Sequence, residues 1–169
     1  MTGRLYQFYR AVTASLTEHD RQYVEKYLPA EAQKLFWNMS TADRYHALHV
    51  AYTAIEIAKS EKCDSDLLRR SALLHDVGRT DGSMNVWEKS IAVIIAGCFP
   101  EFARKLAQKN NGWLSGILHI YFFHPQIGAE MLEKIGMNKE AEIVSHHHDH
   151  VVPESNIELR ILQQADSEN

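Results

Sequence analysis

The residues best suited to chemistry in this chain are histidines and aspartates that recur in order along the sequence. Ten of the 169 residues are histidines. Imidazole and carboxylate together suit first-row cations such as Fe, Mn, Co, Ni and Zn, whereas thiolates favour soft metals or structural sites. Six of the histidines form a series with two aspartates: His49, His75, Asp76, His124, His146, His147, His148 and Asp166. The composition of this series predicts a metal site.

Each member of the series, taken alone, has an ordinary interpretation as a core, capping or surface residue. The argument for a site rests on the set, because its members fall on five separate predicted helices among Leu, Ile, Val and Ala residues. Polar groups at such positions are costly without partners, and a metal ion supplies partners. A carboxylate binds two cations through its two oxygens, so Asp76 beside His75 is a candidate bridge between two metals.

Helices must position these residues. Apolar residues recur at three- and four-residue spacing, and only eight glycines and four prolines interrupt the chain. The pattern predicts an all-α, single-domain helical bundle, a fold that builds metal sites from inward-pointing side chains. Ser40 and Ser155 are the expected capping residues of the third and the last helix, from their spacing to Asp43 and Glu158. We expect helices at about 3–17, 20–38 with a break near Pro29, 41–59, Ser65–Val77, 85–97, 100–109, 112–123, Pro125–Gly136, 138–149 and 156–167.

Composition limits the class of protein. A net charge of −4 gives no electrostatic reason to expect a nucleic-acid or anionic-membrane partner. The longest apolar run, Ile91–Phe99, is far shorter than the ~20 residues of a membrane span, and Met1–Arg10 holds no signal-peptide core. Cys63 and Cys98 match no CxxC spacing, which favours a reducing compartment. We therefore expect a soluble, cytoplasmic protein.

The order of these motifs resembles the HD-domain superfamily of metal-dependent phosphohydrolases. Arg44–Ala51 resembles the helix of the family's first histidine, and Leu73–Arg79 resembles its His-Asp signature. His124–Ala129 resembles the His-Pro-x-x-Gly segment of the binuclear branch. Ile143–His147 is similar to that branch's paired histidines, and Leu162–Asp166 to the closing Ala-Asp. The resemblance covers roughly residues 40–167.

The resemblance implies an HD-type metal-binding domain over 40–169, with residues 1–39 as an N-terminal helical extension packed on it. It implies two divalent metal ions, of which one is bound by His49, His75, Asp76 and Asp166. Asp76 bridges to the second, bound by His124, His146 and His147. His148 and His150 then hydrogen-bond to the ligands or face substrate or solvent, and His46 supports His49 by a hydrogen bond. Asp76 and Arg79 are the expected catalytic residues, and Arg44 and Arg79 the expected contacts to the substrate phosphate.

Three departures from the family pattern limit what the resemblance implies. His148-Asp149 and Val151-Val152-Pro153 stand where the cyclic-dinucleotide branch has Glu and Gly-Tyr-Pro, which argues against a cyclic-di-GMP phosphodiesterase. Arg79 replaces the usual lysine and keeps the cation in a planar form. Two extra apolar helical segments separate Asp76 from His124. The physiological substrate and the metal identity therefore stay open.

The function that this resemblance implies is hydrolysis of a phosphate ester, in a nucleotide or a related small molecule, at a binuclear centre. The same ligand order also occurs in HD-type di-iron oxygenases that cleave C–C or C–P bonds with O₂. A third alternative is a regulatory module that binds nucleotides without turnover. The expected partner is the small-molecule substrate, with no membrane or nucleic acid, and the sequence is compatible with a homo-oligomer.

Overall fold

The computed structural model describes residues 16–82, 86–109, 111–149, 151–153 and 155–169. Within these residues there are α-helices and one 3₁₀ helix, and no strand. The elements are α1 (Glu18–Tyr27), α2 (Ala30–Asn38), α3 (Thr41–Ala58), α4 (Ser65–Leu74), the 3₁₀ helix (Val77–Gly82), α5 (Val86–Cys98), α6 (Pro100–Lys109), α7 (Trp113–Lys134), α8 (Asn138–Ser145) and α9 (Ile157–Glu168). The all-α helical fold is confirmed. The helix expected at about 3–17 lies almost wholly outside the described residues.

Capping side chains set where the helices that carry the site begin. Ser40 Oγ accepts from the Asp43 N–H and donates to Asp43 Oδ2, at 3.2 and 2.6 Å, so α3 begins where the sequence predicts. Asp64 caps α4 by accepting from two backbone N–H groups of its first turn. The cap of α9 is Asn156 rather than the expected Ser155, because the Asn156 side chain accepts from a backbone N–H of the first turn.

A hydrogen-bonded carboxylate joins α1 to α3. Thr17 and Asp20 form a capping box at the start of α1, with the Thr17 N–H donating to Asp20 Oδ2 at 2.8 Å. Tyr52 on α3 donates its hydroxyl to Asp20 Oδ1 at 2.7 Å. Burial opposes ionisation of Asp20, but these hydrogen bonds hold its pKa below the usual value. The first described helix is thereby tied to the helix that carries His46 and His49.

The buried apolar side chains form two clusters that share α7. The larger cluster contains residues of the first four helices, of the 3₁₀ helix, of the C-terminal half of α7, and of α8 and α9. From the N-terminal helices it includes Val24 and Phe36. The smaller cluster joins α5 and α6 to the N-terminal half of α7: Ala92, Ala103, Ala107, Ile117, Leu118 and Ile120. The two apolar segments between Asp76 and His124 therefore pack as a helical pair against one end of α7.

Pro125 lies inside a helix and does not begin one. The sequence analysis expected separate helices before and after it, which is wrong, because α7 is continuous through this position. Proline has no N–H, so the Tyr121 carbonyl loses its usual helical donor. His124 Nδ1 donates instead to the carbonyls of Tyr121 and Ile120, at 3.1 and 3.2 Å. The side chain of His124 thus compensates for the missing backbone donor and is oriented by it.

None of the helices in the described part of the chain is both long and apolar enough to cross a bilayer. Even α7, with 22 residues, does not meet this requirement.

Candidate metal centre

Two groups of possible metal ligands flank the carboxylate of Asp76. One group is His46, His75 and Asp76, and the other is His124, His147 and His148; within each group the ligand atoms lie within 4.8 Å of one another. Asp76 Oδ2 lies 3.5 Å from His75 Nε2. Asp76 Oδ1 lies 3.4 Å from His124 Nε2 and 3.9 Å from His147 Nε2. The two oxygens of one carboxylate therefore face two different groups of histidines.

Asp166 joins the first group from the last helix. Its Oδ1 lies 2.9 Å from His46 Nε2, on α3, and 3.6 Å from His75 Nε2, at the end of α4. This arrangement requires α9 to pack against α3, which brings residues 120 positions apart in the sequence into contact. The first group is thus His46, His75, Asp76 and Asp166, with two carboxylates and two imidazoles.

Backbone carbonyls set the orientation of the imidazole rings. His75 Nδ1 donates to the Ala72 carbonyl at 2.8 Å, and His147 Nδ1 donates to the Val144 carbonyl at 2.6 Å. A carbonyl only accepts hydrogen bonds, so the hydrogen must be on Nδ1 in both rings. His124 Nδ1 likewise donates to backbone carbonyls, because Pro125 leaves the Tyr121 carbonyl without its helical donor. Each ring therefore presents Nε2 toward Asp76, as metal-binding histidines do when a carbonyl holds the other nitrogen.

A close backbone contact holds the two groups together. Gly78 follows the His-Asp pair in the 3₁₀ helix and packs directly on the backbone of α7. A Cβ atom on Gly78 would overlap the His124 carbonyl oxygen and lie 2.7 Å from the Gly128 nitrogen. Only glycine permits this approach. It places Asp76 beside His124, although the two residues belong to elements separated by the α5–α6 pair.

Several buried ligand atoms in this cluster lack a hydrogen-bond partner among the described residues. His75, Asp76 and His147 are 1%, 0% and 2% exposed. Their unpaired atoms are His75 Nε2, His147 Nε2 and both carboxylate oxygens of Asp76. Arg79 Nη1 lies 3.0 Å from Asp76 Oδ2, as an ion pair without hydrogen-bond geometry. Leaving four such atoms unsatisfied is expensive, and divalent cations would satisfy all of them, so the donor set fits the metals that the resemblance implies.

The charges of the cluster shift the pKa values of its members. Burial raises the pKa of Asp76, but Arg79 and His75 outweigh it and hold the pKa well below its usual range. Burial lowers the pKa of His75, but Asp76 and Asp166 raise it to about 9. Burial and then Arg79 lower the pKa of His124 to about 4. Asp76 thus stays ionised and His124 stays neutral at pH 7, as metal ligands must be, whereas His75 is protonated there and would release its proton when a metal ion binds.

Two of the predicted ligands do not join either group. His49 lies on a neighbouring face of α3, where its ring contacts Tyr45 at 4.3 Å and Tyr52 at 6.2 Å between centroids. His146 is exposed and pairs with Asp149 at 2.7 Å. The structure brings together the other predicted ligands, His75, Asp76, His124, His147 and Asp166. It adds two histidines that the sequence analysis placed in supporting roles, His46 and His148.

The turn after α8 explains why His147 and His148, and not His146, reach the cluster. The expected helix over 138–149 ends at Ser145, so the three histidines follow a turn instead of a helical repeat. Gln163 on α9 donates to the carbonyls of Asp149 and His146, at 2.9 and 3.4 Å, and so holds this turn. His150 lies outside the described residues. The α-helix ends at Ser145 and three-residue hydrogen-bonded turns follow, which removes the 100° spacing on which the choice of His146 rests.

The two expected phosphate contacts have different surroundings. Arg79 is partly exposed beside the cluster, with Nη1 near Asp76 and Nη2 3.4 Å from His124 Nε2. Arg44 packs over the Trp37 ring at 5.7 Å and donates to Thr41 Oγ1 at 3.1 Å. Neither partner of Arg44 belongs to the cluster. Arg79 is therefore the cation that the structure places against the ligand atoms.

A separate cavity of about 720 Å³ lies between α1, α3 and α4. Arg69 donates to the Tyr23 hydroxyl at 3.0 Å and covers the Tyr27 ring at 3.9 Å. Tyr52, also in its wall, donates to Asp20. These polar groups already pair within the protein, so the cavity has no counterpart of the unpaired atoms around Asp76.

The fold and the cluster together define a class of protein: an all-α domain in which a buried carboxylate separates two groups of histidines. A scan against protein-family models matches the HD domain over residues 44–168. The chain therefore belongs to the HD-domain family, whose members are generally metal-dependent phosphohydrolases. Neither a search of curated proteins nor a search of solved structures found a significant match. The binuclear branch, which the motifs predict within this family, stays a prediction.

Proposed function

We propose that this protein hydrolyses a phosphate ester, in a nucleotide or a related small molecule, at a binuclear metal centre. One observation carries the proposal: the two oxygens of Asp76 face two separate histidine groups, and neither accepts a hydrogen bond from the described residues. The first metal would be held by His46, His75, Asp76 and Asp166. The second would be held by Asp76, His124, His147 and His148. This assignment replaces His49 and His146 of the sequence-based set with His46 and His148.

Two divalent cations held by these residues would supply Lewis acidity and would lower the pKa of water toward neutrality. The protein's own residues would do the remaining work. Asp76 stays ionised and would offer one carboxylate oxygen to each of the two histidine groups. Arg79 lies at the edge of the cluster and is partly exposed, so its guanidinium can contact phosphoryl oxygens as negative charge develops on them. Its planar fork suits two such oxygens at once.

The test of this proposal combines elemental analysis with a hydrolysis assay. Protein purified without a histidine tag is analysed for metals and assayed for phosphate release from a nucleotide panel and from p-nitrophenyl phosphate. The variant is Asp76→Asn, which keeps the shape of the side chain and removes the charge. Asp149→Asn is the matched control, because Asp149 is an exposed carboxylate that pairs with His146 beside the cluster.

We expect about two metals per chain in the wild type and in Asp149→Asn. Asp76→Asn should lose at least one metal and lower hydrolysis by about 10³-fold, since metal stabilisation of such transition states is worth several kcal/mol. Full hydrolysis by a folded Asp76→Asn protein would refute the proposal. One metal per chain in the wild type would limit the centre to one group. Iron content with O₂ consumption would favour the oxygenase, and tight nucleotide binding without product would favour the regulatory module.

A further inference from the structure

The helix α5 is apolar on two opposite sides. Its inner side packs Ala92, Ile95 and Ala96 within the smaller cluster. On its other side, Val93 and Ile94 are 52% and 62% exposed. A helix that is apolar all round is typical of an element buried in a larger assembly. The outer side of α5 therefore exposes large apolar side chains to solvent.

Further exposed apolar side chains follow at the junction of α5 with α6. Cys98 is exposed at the end of α5, and Phe99 and Phe102, at the junction with α6, are 64% and 59% exposed. We define the α5–α6 apolar face by these residues: Val93, Ile94, Cys98, Phe99 and Phe102. Ile94 and Cys98 are four residues apart on one face of α5, and Val93 lies beside that face. Single exposed apolar side chains are ordinary, but four large ones within ten residues favour an interaction surface.

The chemistry of this face fits a second copy of the chain. No charged residue occurs between Ser90 and Pro100, a stretch that holds every member of the face except Phe102, which Glu101 and Arg104 flank on α6. A two-fold interface places the same patch on both sides, so the uncharged α5 part of the face meets itself without like-charge repulsion. The chain carries a net charge of −4, and repulsion between copies is lowest where the surface is neutral. A Cβ atom on Gly97 would meet no atom within 4 Å, so the backbone of another helix can approach closely there.

The area also fits a dimer. The exposed parts of the two aliphatic and two phenylalanine side chains amount to roughly 450 Å² per copy, judged from the ~150–250 Å² of an aromatic side chain and somewhat less for Val and Ile. Apolar atoms make up only about 60% of the buried area of a protein interface, so roughly 450 Å² of buried apolar surface corresponds to a total buried area of roughly 750 Å² per copy. Each partner in a stable, standard-size interface contributes about 800 Å².

We propose that the α5–α6 apolar face is a two-fold interface between two copies of this chain. Antiparallel α5 helices meet near Gly97, with Val93, Ile94 and Phe102 buried between the copies. This interface lies on the α5–α6 pair, which stands between Asp76 and His124 in the sequence and contains none of the candidate metal ligands. The proposal is therefore independent of the proposed function.

The test measures molar mass and dissociation constant by sedimentation equilibrium and by light scattering. The variant is Ile94→Glu, which places a charge at the centre of the face on both copies. Val151→Glu is the matched control, because Val151 is 85% exposed outside this face. Circular dichroism and metal content establish that each variant is folded. We expect the wild type and Val151→Glu to have twice the 19.4 kDa mass of one chain.

Ile94→Glu should weaken association by at least about 100-fold, because the substitution occurs twice in a two-fold interface. In a Cys63→Ser background, a short bis-maleimide should join two chains through Cys98, and the Ile94→Glu change should abolish this product. A monomeric wild type at all concentrations would overturn the proposal, as would a dimer unaffected by Ile94→Glu. A monomer in which Cys98 resists alkylation would also overturn the proposal, and would show that another segment of the same chain covers the α5–α6 apolar face.

Discussion

The contact between Gly78 and α7 yields a quantitative prediction. In Gly78→Ala, the new Cβ would overlap the His124 carbonyl oxygen and lie 2.7 Å from the Gly128 nitrogen, whereas ordinary contacts begin at 3.4 Å. Both neighbours are backbone atoms, so no side chain can rotate away. The 3₁₀ helix and α7 must then separate by at least about 0.7 Å, the difference between those two distances.

This separation acts directly on the metal centre. Asp76 lies two residues before Gly78, and His124 carries the carbonyl that the new methyl group displaces. Metal–ligand distances tolerate only about 0.2 Å. We therefore expect Gly78→Ala to lose the second metal and to lower hydrolysis by about 100-fold, the usual effect of a misplacement approaching 1 Å. Overpacking of this kind also lowers the free energy of unfolding by about 1–3 kcal/mol.

Two other glycines provide graded controls for the same measurement. A Cβ on Gly128 would meet the Gly78 nitrogen at 3.2 Å and a Val144 methyl group at 3.3 Å, which calls for a smaller adjustment. A Cβ on Gly97 would meet nothing within 4 Å. Metal content should therefore rank the alanine variants Gly97, Gly128, Gly78 from least to most affected, since the surface near Gly97 carries none of the ligands. Two metals and full activity in Gly78→Ala would show that the close approach does not position the site.

Three further predictions concern single side chains. His46→Ala should lose metal whereas His49→Ala retains it, and the reverse result by elemental analysis would restore the sequence-based assignment. Gln163→Leu should weaken metal binding about 10- to 100-fold in a competitive chelator titration, because it removes the hydrogen bonds that hold the turn after α8. The control Gln164→Leu changes an exposed neighbour and should leave metal binding unchanged. Equal effects of the two variants would show that Gln163 does not position His147 and His148. Asp20→Asn should lower the free energy of unfolding at neutral pH. The pKa of Asp20 is lowered by its hydrogen bonds against the effect of burial, so its contribution is present above about pH 4 and is lost as the pH falls through the lowered pKa. Urea midpoints of wild type and variant should converge below pH 4, and a constant difference would contradict this.

The sequence predicts the fold class and most of the candidate site, because both depend on local patterns. Apolar spacing is enough to predict the helices, and the His-Asp pair with its flanking apolar residues is enough to predict a buried carboxylate at Asp76. The family match over residues 44–168 agrees with the motif order. These features are properties of short segments, which a sequence displays directly.

The choice between neighbouring histidines depends on tertiary packing, and the sequence does not display it. His46 and His49 lie about 60° apart on one helix. Only the docking of α9 decides that the face with His46 meets Asp166. His148 takes the place expected for His146 because the chain turns after Ser145. In both cases a helical wheel gives two acceptable answers.

The first ligand group also acts as a cross-link between distant parts of the chain. His46 and Asp166 are separated by 120 positions. A cation held by both would close a loop of that length, and fixing such a loop costs the unfolded chain several kcal/mol of conformational entropy, about 4.7 for 100 residues. The metal would thus favour the native state by binding it alone. Metal supply would then govern the lifetime of the folded protein against unfolding and proteolysis, as well as its chemistry.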